Sequence, residues 1–279
     1  MNHIETGSFA AREACSSPSD SLRIVSWNIN RGSRFNFIVE FLADARADLV
    51  LLQECDLNTL RTGRLNIARE IAQKLRMDYV FGLEFVELSQ QDGHTSAYHG
   101  QATLSRTQLV NPRILRFDRQ SKFWSPRWFV PSIAAFQRRL GGRMALVSET
   151  VVEGKKLVLY NLHLESRNSN RLRYQQLCEV LEDTRQYSPD ASVVLAGDFN
   201  FDVTQGPSSR AIKSATFCNP FGHECNQTTK ARQIFRHSHA IDWILVRGAL
   251  HSECARVHSS TSGSDHYPLS MELRLSTSI

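Results

Sequence analysis

The alternation of apolar and polar positions changes rhythm along the chain and divides it into elements. Residues 22–27 (LRIVSW), 48–53 (DLVLLQ), 192–197 (SVVLAG), 241–248 (IDWILVRG) and 268–275 (PLSMELRL) are short runs rich in aliphatic and β-branched side chains, the pattern of buried strands. Further strands are expected at 79–88, 100–106, 143–152 and 156–164, the last two meeting at Glu153 and Gly154 as a hairpin. Helical spacing takes over between them. Phe37, Ile38, Phe41, Leu42 and Ala45 share one face of residues 35–47. Leu65, Ala68, Ile71, Ala72 and Leu75 do so in 64–76, and Leu172, Gln176, Leu177, Val180 and Leu181 in 169–186.

Strands and helices mix over the whole length, with no repeat and no Pro/Gly/Ser linker after residue 20, so one α/β domain over residues 21–279 is expected. Connections too short for helices make a mixed sheet system the better expectation than a parallel one. Residues 1–20 are polar and small, with Ser16, Ser17, Pro18 and Ser19 together, and read as a mobile N-terminal tail.

Composition narrows the class. A chain of 279 residues, 41% of them hydrophobic, buries a core without staples. It is neither fibrous nor disordered in composition, and no run approaches the ~18 apolar residues of a membrane span. The N-terminus lacks a basic region followed by an apolar stretch, so no secretory signal is read and a cytoplasmic protein is expected; separately, a monomer without an obligate protein partner is the expectation. Cys15, Cys55, Cys178, Cys218, Cys225 and Cys254 are scattered without a CxxC pair, which disfavours zinc and leaves six free thiols as the expectation.

The chemistry lies in what stands next to each strand. LRIVSW is followed by Asn28 and Asn30, LVLLQ by Glu54, and LVLYNL by His163. SVVLAG is followed by Asp198 and Asn200, Asp242 opens DWILV, and Asp265 and His266 precede PLSMEL. Strand ends in one layered domain fall along common edges, where α/β sheets carry ligands. Carboxylates and asparagines without thiolates are hard oxygen ligands suited to Mg²⁺, Mn²⁺ or Ca²⁺. Two histidines beside them suit proton transfer or contact with a phosphate oxygen. Together these groups fit hydrolysis of a phosphate ester. Taken singly, Asp and Asn at strand ends are also ordinary turn residues, Glu54 fits a solvated rim charge, and His163 fits a satisfied core histidine.

The ordered set SWNIN, LLQE, NLHLES, LAGDFN, IDWILV and SDHYPL resembles the endonuclease/exonuclease/phosphatase superfamily, over nearly the whole chain. This group includes deoxyribonuclease I, abasic-site endonucleases, tyrosyl-DNA phosphodiesterase 2, neutral sphingomyelinases and inositol polyphosphate 5-phosphatases. The resemblance implies a four-layer α/β sandwich, two mixed β-sheets packed face to face with helices outside. It implies Mg²⁺, with Mn²⁺ as an alternative, held by Glu54 with Asn28 and Asp265. It further implies His163 as a phosphate contact, Asp198 as the group that deprotonates the attacking water, and Asn200 as a transition-state donor. Asp242 would hold His266, the catalytic histidine. Asn30 departs from the pattern, because many DNA-repair members carry Asp there, and the metal site loses one negative charge.

Charge bears on the substrate. The formal net charge is only +5, yet residues 113–143 hold eight basic residues against the single acid Asp118, leaving the remainder slightly acidic. Interleaved aromatics, including Phe123, Trp124, Trp128 and Phe136, suit a phosphodiester backbone with bases to stack on. Arg127, Trp128, Arg138, Arg139 and Arg167 are the substrate-binding candidates. An anionic lipid surface would select the same composition, and so would an insertion packed on the sheet with solvated arginines. NLHLES followed by Arg167 points toward the tyrosyl-DNA phosphodiesterase branch, whereas Phe201 and Asp202 after GDFN point away from the inositol phosphatases. His94, His99, His237 and His239 are expected in solvated loops. A nuclease or DNA-end-processing phosphodiesterase is the leading expectation. A phospholipid or small-phosphoester hydrolase stands second, and a non-catalytic nucleic-acid-binding module third.

Overall fold

The computed structural model describes residues 3–10, 21–92, 95–126, 131–167, 169–222, 227–230 and 240–275. Their elements run β1 (Ile4–Gly7), β2 (Leu22–Arg31), α1 (Phe35–Asp44), β3 (Leu49–Leu57), α2 (Ile67–Leu75), β4 (Asp78–Val86), β5 (Tyr98–Ser105), β6 (Leu109–Arg116), β7 (Leu140–Gly141) and β8 (Met144–Val152). There follow β9 (Lys155–His163), α3 (Asn170–Asp183), β10 (Ser192–Asp198), α4 (Gly206–Ser214), β11 (Asp242–Arg247), β12 (Leu250–Val257) and β13 (Leu269–Leu275). One sheet has the order β1-β4-β5-β3-β2-β13-β12, with β7 against β4; the other is β11-β10-β9-β8-β6. Among the described residues only β2–β3 and β9–β10 pair in parallel, and α1 and α3 supply their crossovers.

Period-two alternation builds the layers. Ile24, Leu49 and Leu51 enter the core between the sheets with Leu157, Leu159 and Val194. Their neighbours Val25, Val50 and Leu52 turn the other way, under Ile38 and Leu42 of α1 and Ile67 and Ile71 of α2. Leu177, Val180 and Ile212 cover the outer face of the second sheet from α3 and α4. The result is the expected four-layer α/β sandwich of two mixed sheets. Each such side chain contributes roughly 1.5–3 kcal/mol on burial. Polar links cross the core: Gln53 Nε2 donates to Asn161 Oδ1 over 2.8 Å, Asn161 Nδ2 donates to the carbonyls of Leu52 and Ala102, and Gln101 Nε2 donates to the Met144 carbonyl over 3.0 Å. Asn161 of NLHLES is therefore a tie between the sheets beneath the site.

Some expectations change. Ile4–Gly7, placed in a mobile tail, pairs antiparallel with β4, and Glu5 reaches Tyr79 and Asn66. Its polar alternation hid an edge strand. β6 and β12 also lie at sheet edges; β6 carries Pro112 and a bulge between Val110 and Arg113, so neither shows a continuous apolar run. Cys55, Cys178, Cys218 and Cys254 are free thiols, whereas Cys15 and Cys225 lie outside the described residues. Among the described residues, no helix is long and apolar enough to cross a membrane.

Candidate active site

Strand register brings the motif residues to one edge. In the second sheet Asp198 is paired with His163 on the parallel strand β9 and with Asp242 on the antiparallel strand β11, so three consecutive strands present the three groups at one level. In the first sheet Asn28 pairs with Gln53, and Glu54 follows directly. His266 precedes β13, whose Leu269 pairs with Ser26, so the histidine returns to the same end of β2. Asn28 Nδ2 then donates to Asp198 Oδ2 over 3.1 Å and closes the gap between the sheets.

The backbone departs from ideal strands where the side chains are aimed. Bulges fall between Leu52 and Cys55 of β3 and between Asn28 and Arg31 of β2. Glu54, Asn30 and Asn200 take φ of 57°, 45° and 58°. Bulges re-aim side chains, and left-handed backbone at non-glycine residues costs of order 1–3 kcal/mol that the surroundings must offset. Asn tolerates that region better than most residues, which gives Asn30 and Asn200 a backbone reason to be Asn.

Asp198 is buried and fully engaged: Oδ1 accepts from the Asn200 backbone N–H at 2.8 Å, and Oδ2 faces His163 Nε2 at 3.7 Å and His266 Nε2 at 3.9 Å. His266 Nδ1 lies 2.9 Å from Asp242 Oδ2, and Thr228 Oγ1 donates to that same oxygen at 2.6 Å. Burial works against the imidazolium, but Asp242, Asp198 and Asp265 outweigh it and raise the His266 pKa to about 10. The Trp27 indole N–H holds the His266 carbonyl at 2.9 Å. His163 Nδ1 lies 3.2 Å from Glu84 Oε2, and Arg143 Nη1 stands 2.8 Å from both Glu84 Oε1 and His163 Nε2. Burial would raise the Glu84 pKa, yet His163 and Arg143 hold it well below the usual carboxylate range.

Glu54 is half-buried, and its side chain forms no hydrogen bond among the described residues. Burial would raise its pKa; the neighbouring His99, His163, Arg143 and His266 override this and lower it to about 2. An ionised oxygen donor without a protein partner fits a hard divalent cation. Asp265 is half-buried, receives a 3.3 Å bond from Ser264 Oγ, and adds its charge to the same edge. Asn28 is brought to the site but spends both ends of its amide on Asp198 and the Asn30 N–H. Ligand atoms of Asp198, Asp242 and His266 lie within 4.8 Å of one another, close enough to hold an ion. His266 Nδ1 is spent on Asp242, whereas Glu54 has no hydrogen-bond partner among the described residues.

A cleft of about 860 Å³ opens beside Glu54, walled by Arg31, Arg61, Arg138, Arg139, Arg143 and Arg167 with Phe123, Trp124 and Phe136. Arg138 is exposed there. Arg139 is committed to Glu87 at 2.7 Å and stacks over Phe85 and Trp124, while Arg167 lies 4.9 Å over the Phe123 ring. Arg127 and Trp128 lie outside the described residues, as do His94, His237 and His239. The basic segment is not a uniform patch. Arg113 pairs with Asp183 and Arg116 bonds the carbonyls of Leu83, Glu84 and Gly142, all structural uses. His99 is no loop residue; it is completely buried in β5. Glu84, Arg143 and Thr228 escaped the motif reading. For Glu84 the signal was a lone charge inside the apolar run YVFGLEFV, at a core-facing position.

A search of the curated proteins yields no match. Solved structures share the fold. A Beutenbergia cavernae endonuclease/exonuclease/phosphatase has a TM-score of 0.68 at 18% identity, over 91% of this chain and 72% of that one. A humanised TDP2 from D. rerio has a TM-score of 0.60 at 20% identity, over 91% and 99%. A mannosyl-6-phosphatase from Bacteroides thetaiotaomicron has a TM-score of 0.61 at 19% identity, over 90% and 99%. The sequence profile described as the Endonuclease/Exonuclease/phosphatase family matches residues 25–266. With its motif residues gathered at one edge of a two-sheet sandwich, the chain belongs to the endonuclease/exonuclease/phosphatase family, hydrolases of phosphodiester and phosphate ester bonds that use divalent metals.

Proposed function

We propose that the protein is a divalent-cation-dependent phosphodiesterase acting on nucleic acid, with Mg²⁺ as the working ion. The observation that carries this reading is the Asp198 carboxylate, flanked by two imidazole Nε2 atoms and lying at the same edge as an arginine-walled cleft and a Glu54 without a hydrogen-bond partner among the described residues. A cation held by Glu54, with Asp265 and Asn28 in support, would neutralise charge on a non-bridging phosphate oxygen.

The chain's own groups do the rest. Asp198 takes the proton of an in-line water, positioned by the bonds from Asn28 and the Asn200 N–H that fix both carboxylate oxygens. Asn200 Nδ2 gives one hydrogen to the Leu164 carbonyl and keeps a second for the phosphate. His266, held as imidazolium by Asp242, donates from Nε2, and His163 approaches from the opposite side. Each such donor contributes about 3 kcal/mol to the transition state. Arg31, Arg138 and Arg167 attract a polyanion, and Phe123 and Phe136, 45% and 56% exposed, offer faces to unpaired bases.

Those exposed rings, with Ile133 at 50%, also suit the second reading, hydrolysis of a phospholipid headgroup at a membrane surface. A substrate panel separates the two: plasmid, single-stranded DNA, abasic duplex, 5′-tyrosyl oligonucleotide, sphingomyelin and inositol phosphates, each with Mg²⁺ or EDTA. Cleavage of a nucleic acid that EDTA abolishes is expected. Cleavage of lipid alone overturns the first reading.

A further inference from the structure

The buried histidine of β5 has no part in the mechanism above, yet it is built with care. His99 is directly paired with Asp56 across the β3–β5 ladder, and its Nδ1 lies 2.7 Å from Asp56 Oδ1. Asp56 is gripped on both oxygens: Arg61 Nη2 donates to Oδ1 at 2.7 Å, and Arg61 Nε and Thr59 Oγ1 donate to Oδ2 at 2.6 and 2.8 Å. A carboxylate held this way accepts from Nδ1–H, which leaves Nε2 of the neutral imidazole as an acceptor. That Nε2 is buried and without a hydrogen-bond partner.

Cys55 turns into the layer under α1 and α2, while Glu54 and Asp56 on either side of it turn the other way: Arg61, which grips Asp56, lines the same cleft as Glu54. His99, opposite Asp56, therefore shares the Glu54 face. Glu54 also has no hydrogen-bonding partner among the described residues. An ionised carboxylate and an unpartnered buried imidazole nitrogen near it fit a cation with water in its shell, the ion on the carboxylate and a water O–H toward the imidazole.

We infer that His99 is a positioning residue for the cation site: its Nε2, oriented by the Asp56–Arg61 pair, accepts a hydrogen bond from the water shell of a divalent ion held by Glu54. This rests on the divalent-cation reading of the site. Groups that orient a metal site from outside its direct ligands typically change affinity 10–100-fold when removed.

The test is calorimetric titration of the full chain with MnCl₂, alongside the metal-free Tm, for the wild type, His99→Asn and His99→Gln. An Asn amide reproduces the Nδ1 donor to Asp56 and deletes the Nε2 position; a Gln amide places a polar atom near Nε2. His99→Asn should weaken Mn²⁺ roughly 10–100-fold with a metal-free Tm close to wild type, and His99→Gln should recover most of the affinity. Unchanged Mn²⁺ affinity in a folded His99→Asn overturns the inference. A wild type that takes up no Mn²⁺ overturns the cation reading and the role of His99 with it. Should His99→Asn fail to fold, the wild-type ¹H–¹⁵N spectrum decides, assigned with His99→Gln. The His99 Nε2 resonance should move as Mg²⁺ saturates the protein, and a resonance that stays fixed contradicts the role.

Discussion

The Asn28 amide donates across the gap between the two sheets to the Asp198 carboxylate, over 3.1 Å. This bond joins the end of β2 to the end of β10, so the orientation of the Asp198 carboxylate depends on how the sandwich is closed. Asn28→Ala should lower kcat about 10²-fold while costing only about 1–3 kcal/mol of stability, since it leaves one buried carboxylate oxygen short of a donor. Steady-state rates and urea unfolding on the same sample check both numbers. A large stability loss with little change in kcat would assign Asn28 to the fold alone.

Asp242 and His266 should act as a unit. Asp242→Asn removes the acceptor that holds Nδ1–H and favours the imidazolium, so much of the His266 contribution disappears with it. Asp242→Asn and His266→Ala should each reduce kcat by roughly 10²–10⁴-fold, and the double variant should be little worse than the poorer single one. Additive losses in the double-mutant cycle would show that the two groups work separately.

The Arg143–Glu84 pair predicts an asymmetry in stability. Both side chains are buried, with Nη1 and Oε1 2.8 Å apart. Arg143→Met strands the Glu84 carboxylate and should cost about 3–5 kcal/mol. Adding Glu84→Gln should return a good part of that, read by urea denaturation. No recovery in the double variant would mean that Arg143 acts chiefly through its other contacts, His163 and Ser166.

These relationships also show how far the sequence could be read. The alternation of Ile24/Val25 and Leu49/Val50 between two different cores is visible as unbroken apolar runs, because both faces of those strands are covered. Asp198, Asp242 and His266 were legible for a different reason: each sits at a strand end, where a polar residue interrupts a buried run. Ile4–Gly7 was not legible, because a short edge strand buries too little apolar surface to leave a pattern. His99 and Glu84 were misjudged or missed because their roles depend on residues far along the chain, Asp56 for one and Arg143 and His163 for the other. The basic segment misled in part. Composition cannot distinguish Arg138, exposed at the cleft, from Arg116, spent on backbone carbonyls.

That distinction gives a prediction on substrate binding. Arg138→Ala should weaken nucleic-acid binding across sequences and reduce the slope of log K against log salt by about 1, whereas Arg113→Ala should leave that slope unchanged. Fluorescence anisotropy with a labelled single strand at several salt concentrations measures both. Equal effects from the two would mean that the cleft is not where the polyanion lies.

The gathered strand ends form the proposed cation-dependent phosphoesterase centre, working through Asp198. Its most direct measurement is the hydrolysis rate of Asp198→Asn beside wild type, with Mg²⁺ and with EDTA, on labelled single-stranded DNA. Wild type should cleave with Mg²⁺ and stop with EDTA, while a folded Asp198→Asn should lose about 10²–10⁴-fold in rate with Mg²⁺ present. A folded Asp198→Asn that cleaves near the wild-type rate, with the same dependence on Mg²⁺, would contradict that role of Asp198.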